Sequence, residues 1–444
     1  MFNTTICALS TARMNCAIHI IRLSGPKAFE IINAISNKPI PKEGFRIFYT
    51  KLIEEDKIVD EVIVNCFAAP HSYTGEDTVE INCHGNVLVA DTILNLLVKH
   101  GAVFAQRGEF SQRAMMNKKI DICQVEAINN LVNTQNTLSM QAAVNGLVGD
   151  TSSKLKEYRE QLFKLIGQIE VNIDYPEYHD IEEITTQDTI KTTKFLIKEL
   201  SNLAINSKRF IPLNEGIKIL IIGEPNAGKS TLLNTLTKSD KAIVSDIPGT
   251  TRDIVEATIN LDNITLKLFD TAGIRQTSDV VENLGIEKAK SYLDKVDLIF
   301  LIKAVDTITP NWKDEYEYVL SRKHLVVYTK ADLLDAKLEL GNDEVVISAK
   351  TNQIEPLIKK IKQLFEVDEF IHSDMNVLQS NRQIALLDGA IYHLKDVLTK
   401  IDIYPLDLII EDLNLALDNL NKILGLDYEY DFLDELFKNF CLGK

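Results

Sequence analysis

The sequence has six cysteines in 444 residues, and no two form a C-x-x-C pair. Cys7, Cys16, Cys66, Cys83, Cys123 and Cys441 are scattered, so neither a zinc ribbon nor a disulfide framework is implied. Reduced thiols fit a cytoplasmic setting. No stretch reaches the ~18 uninterrupted apolar residues that a membrane span needs. The opening "MFNTTICALSTARMN" lacks a basic segment followed by an apolar run, so no signal peptide is expected. Positive charge is in deficit: 48 Lys and Arg face 64 Asp and Glu, a net charge of −16. This argues against a protein that coats nucleic acid through its overall field, though not against a local basic site. Internal repeats and low-complexity tracts are also absent. What remains is a globular composition, 45% hydrophobic and 25% charged, long enough for two or three domains.

The periodicity changes along the chain. Residues 1–117 mix strand-like runs ("CAIHIIRL", "DEVIVNCFAA") with the helical "VLVADTILNLLVKHGA". Residues 118–211 turn helical, with apolar steps of three and four in "QVEAINNLVNTQNTLSMQAAV" and "LKEYREQLFKLIGQIEVNI". The acidic "DYPEYHDIEE" between helices reads as a solvated connector. Residues 216–367 alternate strand and helix; "IKILIIG", "IVEATINL", "ITLKLFD", "VDLIFLIKA", "HLVVYT" and "EVVISA" are the expected strands. Their apolar runs suit a parallel sheet buried on both faces. Residues 375–444 are helical again. The economical reading is α/β plus α: an N-terminal α+β domain, then a helical domain split by an inserted Ras-like P-loop domain.

Strand 217–222 leads into "GEPNAGKST", which fits G-x-x-x-x-G-K-[ST]. Gly223 and Gly228 allow a tight loop whose backbone N–H groups, from Asn226 and Ala227 to Thr231, face phosphate oxygens at a helix start. Lys229 reaches the outer phosphates, and the Ser230 hydroxyl holds Mg²⁺. "DTAG" follows an apolar strand: Asp270 serves the Mg²⁺ shell and Gly273 the γ-phosphate, with Thr271 and Ala272 between. "TKAD" brings Lys330 and Asp332, and "SAK" brings Ser348 and Ala349. The Asp332 carboxylate can accept two hydrogen bonds from guanine, a pair adenine does not offer, so the nucleotide expected is GTP. Thr329 stands where Asn is usual, and a weaker brace of this loop is expected rather than loss of guanine selectivity. "SDIPGTTRD" (245–253) is the expected switch segment, with Thr251 as a Mg²⁺ ligand that senses the γ-phosphate.

"GEPNAGKSTLLN", "IPGTTRD" and "DTAGIR" are similar to the G domain of the TrmE–Era–Era-like bacterial GTPases. With "SYTGEDTVEINCHGN" (72–86), "RGEFSQRAMMNKKIDICQVEAI" (107–128) and the terminal "FCLGK", the whole chain resembles the tRNA-modification GTPase family MnmE, also called TrmE. That resemblance implies a dimerising N-terminal domain that binds a tetrahydrofolate derivative. It implies an FAD-dependent MnmG-type partner, in a heterotetramer, that joins in adding an aminomethyl or carboxymethylaminomethyl group to the wobble uridine of tRNA. It also implies K⁺ held by Asn226, Thr250 and the carbonyls of Ser245 and Ile247. No arginine occupies the loop, and a supplied arginine is worth roughly 10³–10⁵ in rate, or about 4–7 kcal/mol; K⁺ there could replace part of it. Glu282 matches the acid that orients the attacking water.

For folate, the resemblance implies Arg22, Glu80, Lys119 and the terminal Lys444. "ARMNC" (12–16) departs from the family's glycine-rich turn, and Asn86 from its second glycine after His84. In "FCLGK", Cys441 is placed like a prenylated cysteine, but Lys is not a C-a-a-X ending. Apolar spacing over 429–440 predicts a helix. The family places this tail by the folate and needs its cysteine for modification. Cys441 as nucleophile and Cys441 as pocket lining both stay open. Gly443 should let the backbone approach closely. The rivals are an RNA-binding assembly GTPase without one-carbon chemistry and a signalling switch run by separate exchange and activating proteins.

Overall fold

The computed structural model describes residues 3–174, 186–238, 242–244, 257–261, 263–270, 292–307, 312–333, 338–372, 375–426, 437, 440 and 443. The chain forms two compact units. Unit 1 takes in 1–125 and 421–444, and unit 2 takes in 126–420.

Unit 1 is built on a six-stranded sheet ordered β3-β4-β5-β2-β1-β6. Its strands are β1 (Ile6–Leu9), β2 (Ile18–Ser24), β3 (Arg46–Glu54), β4 (Lys57–Phe67), β5 (Thr78–His84) and β6 (Val103–Phe104). All neighbours are antiparallel except β1 and β6. Helices α1 (Ala28–Ile35) and α2 (Val87–Lys99) supply apolar stripes to one face. There Ile32, Ile35, Ile93 and Leu97 join Cys7, Leu9, Ile21, Leu23, Val79 and Ile81 in one core. Strand side chains alternate faces, so Arg22 and Glu80 emerge on the opposite face. Ile6 and Ala8 pack there with Phe110 of α3 (Glu109–Met116). Burial pushes the thiol of Cys7 up to about 12 and that of Cys66 to about 11, which leaves both unreactive.

Unit 2 holds a seven-stranded sheet ordered β13-β12-β11-β7-β10-β9-β8. The strands are β7 (Ile217–Gly223), β8 (Ala242–Val244), β9 (Ala257–Leu261), β10 (Ile264–Asp270), β11 (Leu298–Ala304), β12 (His324–Thr329) and β13 (Glu344–Val346). Both faces are covered, since Ile219 and Ile221 belong to one core and Leu220 and Ile222 to another. The expectation of a parallel sheet needs correction. β7, β10, β11, β12 and β13 are parallel, but β9 is antiparallel to β10 and β8 to β9. Only a two-residue link separates Leu261 from Ile264, and so short a link can join antiparallel strands only.

The helical segments of unit 2 include α5 (Thr137–Val148), α6 (Asp150–Asp174), α7 (Thr186–Glu215) and the helix Asn381–Lys400. The helical run over 124–144 is divided between two helices. α4 (Ile122–Asn133) stops, and the extended backbone of Asn136 lets its side chain accept from the Ser139 N–H and cap α5. No helix among the described residues is long and apolar enough to cross a membrane. The acidic connector beyond Asp174 and most of 429–440 lie outside the described residues.

Candidate functional site

The first site lies at the carboxyl end of β7. Gly223 packs so closely on β11 that a Cβ there would lie 2.4 Å from the Ile302 carbonyl oxygen. Gly228 has φ +92° and Asn226, which is not a glycine, φ +61°. Left-handed backbone at a non-glycine residue is costly and marks a loop held in a fixed shape. α8 (Lys229–Lys238) begins immediately after, so the orphan N–H groups of its first turn point back at the loop. The Lys229 ammonium donates to the carbonyls of Gly223 (2.5 Å) and Glu224 (2.8 Å). Ser230 and Thr231 are exposed at the start of α8. The Asp270 backbone pairs with Ile221 and so brings the end of β10 beside the loop.

The base end is assembled by hydrogen bonds between loops. The Thr329 hydroxyl, 2% exposed, donates to the Ala227 carbonyl at 2.6 Å. The residue read as a weaker brace thus clamps the phosphate loop directly. Lys330, at φ +59°, donates to Asp306. The Asp332 carboxylate accepts from the Ser348 hydroxyl at 2.7 Å, which holds its pKa below the usual carboxylate range. Thr235 of α8 donates to the Ala349 carbonyl at 3.0 Å. The structure therefore brings Asn226 to Thr231, Asp332, Ser348 and Ala349 to one end of the sheet. Ser245, Ile247, Thr250, Thr251, Thr271, Ala272, Gly273 and Glu282 lie outside the described residues.

Sequence reasoning missed one support. Lys303 of β11 is 1% exposed and pairs with Glu224 of the phosphate loop. Its ammonium also lies 4.8 Å from the Tyr316 ring centre and 5.3 Å from that of Trp312. A lysine inside the apolar run "LIFLIKA" was the available signal, because a buried lysine needs a partner.

The second cluster is in unit 1, on the face of the sheet away from the α1–α2 core. Arg22 and Glu80 are directly opposite in the β2–β5 pair. Arg22 donates to Glu80 Oε1 through Nε (3.0 Å) and Nη2 (2.9 Å), and through Nη1 to the Gly443 carbonyl (3.2 Å). Its guanidinium lies 5.5 Å from the Phe110 ring centre and 5.7 Å from that of Tyr73. The Ser10 hydroxyl also donates to Gly443 O. Gly443 has φ +90°, and a Cβ there would lie 2.6 Å from the Leu9 carbonyl oxygen, so both the turn and the contact demand glycine. Phe437 and Phe440 are buried and pack over Gly108.

The loop bearing Tyr73 is pinned by fully buried Arg113, which donates to Glu76 and Glu109. Lys119 packs against Gly75 of that loop and donates to the Pro70 carbonyl at 3.1 Å. It makes no contact with Arg22 among the described bonds. Cys441 and Lys444 lie outside the described residues. Tyr73 and Phe110 were not singled out from the sequence, although an aromatic inside polar "SYTGED" is a legible anomaly.

The GTP-binding protein TrmE N-terminus profile matches residues 5–119, and the MnmE helical domain profile matches 122–441. The tRNA modification GTPase MnmE of Ureaplasma parvum serovar 3 is 52% identical over 445 residues, covering 99% of this chain and 100% of that protein. The protein of the same name from Mycoplasmoides gallisepticum is 45% identical, covering 99% and 98%. The G domain of the T. maritima FeoB iron transporter aligns at 24% identity and TM-score 0.24, covering 33% of this chain and 97% of that one. With two domain profiles and full-length relatives in agreement, the chain belongs to the MnmE (TrmE) family of tRNA modification GTPases.

Proposed function

We propose that this protein is a K⁺-dependent GTPase that, with an FAD-dependent MnmG-type partner, adds an aminomethyl or carboxymethylaminomethyl group to the wobble uridine of tRNA. The transferred carbon comes from a methylene-tetrahydrofolate. GTP hydrolysis drives a conformational cycle and donates no atoms to the product. The protein works as a cytoplasmic homodimer whose helical domain, 118–211 and 375–444, is interrupted by the G domain at 216–367.

The observation that carries the one-carbon half of this reading is the Gly443 carbonyl on Arg22, beside Glu80. In this reading Cys441 and Lys444, the sequence neighbours of Gly443, serve the same one-carbon site. Glu80 offers a carboxylate for the N–H edge of a pterin, and Lys119 and Lys444 are cations for the glutamyl tail. In the G domain, the Gly228 cradle, Lys229 and the exposed Ser230 suit phosphates with Mg²⁺. The proposed K⁺ ligands are Asn226, Thr250 and the Ser245 and Ile247 carbonyls, oxygen donors of the kind that suit K⁺. Such ions neutralise charge that develops between the β- and γ-phosphates.

Calorimetric titration of the full chain with a reduced folate tests the reading. Saturable binding that Glu80→Gln weakens by about tenfold or more, with GTP hydrolysis unchanged, is expected. A wild-type chain that hydrolyses GTP and binds no folate would instead be an assembly GTPase without one-carbon chemistry.

A further inference from the structure

Strand β11 reads "LIFLIKA" (298–304), and its side chains alternate between the two cores that cover the sheet. Leu298, Phe300 and Ile302 enter one core, Ile299 and Leu301 the other. Lys303 continues the second series and is 1% exposed, in a place where an apolar side chain would pack. Trp312 and Tyr316 pack in that same core, and the Lys303 ammonium lies 5.3 and 4.8 Å from their ring centres. Among the described residues its one ion-pair partner is Glu224 of the phosphate loop. A charge held this deep persists only with a partner, so the lysine ties the loop to the two aromatic rings.

The strand register puts this tie where it can act on phosphate binding. Ile302 is paired with Gly223 across the parallel β11–β7 ladder, and a Cβ on Gly223 would meet the Ile302 carbonyl oxygen at 2.4 Å. Lys303 follows Ile302 as Glu224 follows Gly223. β11 thus fixes the first two residues of the loop, Gly223 by backbone contact and Glu224 by its side chain. The carbonyls of those two residues accept from Lys229 Nζ, at 2.5 and 2.8 Å. The Lys303 carbonyl also lies 3.4 Å from the Thr329 hydroxyl that clamps Ala227. Side chain and backbone of one residue therefore reach both the start and the middle of the loop.

We propose that Lys303 is a positioning residue for GTP hydrolysis: through Glu224 it sets the carbonyls that aim Lys229, and it passes the state of the loop to Trp312. Lys229 meets the phosphates, whereas Lys303 acts only through the loop. A phosphate that draws the Lys229 ammonium from the Gly223 and Glu224 carbonyls changes the pull on Glu224, and the Lys303 ammonium follows it beside the indole ring. The inference rests on GTP hydrolysis and on neither K⁺ nor folate.

Trp312 is the only tryptophan in the chain, so intrinsic fluorescence reads it alone. The test is a titration of the full chain with GDP and Mg²⁺ followed by Trp312 emission, beside GTP hydrolysis rates measured with both K⁺ and Na⁺ present. The wild type should show a saturable change in emission. Lys303→Met should lose that change at saturating GDP and hydrolyse GTP about tenfold more slowly, because a small misplacement of a phosphate-binding cation is enough for such a loss. Glu224→Gln with Lys303→Met removes both charges at once, which a fold tolerates far better than one buried charge left alone. That double variant should melt like the wild type and show the same two losses, so it decides the matter even if Lys303→Met folds poorly. Lys313→Met is the control, since Lys313 lies 5.6 Å from the same indole ring but pairs with Glu344; it should keep both the emission change and the rate. A folded double variant that hydrolyses GTP at the wild-type rate, or that keeps the emission change, overturns the proposal, as does a wild-type chain whose Trp312 emission ignores bound GDP.

Discussion

Thr329 illustrates how one hydroxyl can couple two ends of a nucleotide site. It sits at the end of β12, donates to the Ala227 carbonyl at 2.6 Å, and is almost completely buried. Removing the hydroxyl leaves that carbonyl unpaired in a dry place, at a cost of about 1–3 kcal/mol. Thr329→Val is therefore expected to weaken GTP binding roughly tenfold, while Thr329→Ser keeps most of it; equal affinities in Thr329→Val and wild type would contradict the clamp. Asp332 carries a separable role. Ser348 holds its carboxylate ionised, the state that accepts the guanine N–H pair. Asp332→Asn should lose GTP affinity and gain xanthosine triphosphate, whose extra carbonyl suits an amide donor. Nucleotide competition assays read this directly, and an unchanged preference for GTP would place base recognition elsewhere.

At the scale of elements, the strands of unit 2 were largely legible in the sequence. "IKILIIG", "ITLKLFD" and "HLVVYT" coincide with β7, β10 and β12, because a strand buried on both faces must be apolar throughout. β3 was not read as a strand. Its solvent-facing Ile47 and Tyr49 are 72% and 60% exposed, so the alternation that marks a half-buried strand is blurred. The antiparallel β9–β10 pair was readable from the short link at 262–263 but was overshadowed by the apolar runs. The site motifs fall on loops fixed by glycine and by backbone hydrogen bonds, which are local and therefore visible. Arg22, Tyr73, Phe110 and Gly443 meet only through the sheet topology, and spacing along the chain carries no trace of that meeting.

Helix packing in unit 2 also contains a pH-dependent contact. Glu126 of α4 is buried beside Arg382 and Ser380 of the later helical segment. Burial raises its pKa above the ordinary 4.5, against the opposing pull of Arg382 and Ser380. The folded chain thus holds this proton more tightly than the unfolded chain. The associated stability is present below about pH 4.5 and is lost as pH rises through the raised value. Glu126→Gln has no such proton, so its melting temperature should lack this decline. Melting curves that stay parallel for the two proteins across that window would contradict the assignment.

For the whole molecule, the proposed function joins a GTPase cycle to one-carbon chemistry on tRNA. Asn226, held at φ +61° in the phosphate loop, belongs to the proposed K⁺ site. GTP turnover should be well above its Na⁺ rate in K⁺, and Asn226→Ala should remove most of that difference. Equal wild-type rates in the two salts would point to a switch driven by separate activating proteins. The central claim is tested most directly by mass spectrometry of wobble nucleosides in tRNA from cells lacking this protein. The account predicts that the aminomethyl and carboxymethylaminomethyl uridines disappear and that the intact chain restores them. A chain ending at Phe440 should fail to restore them while still hydrolysing GTP. Modified wobble uridines that persist in cells without the protein would contradict the claim.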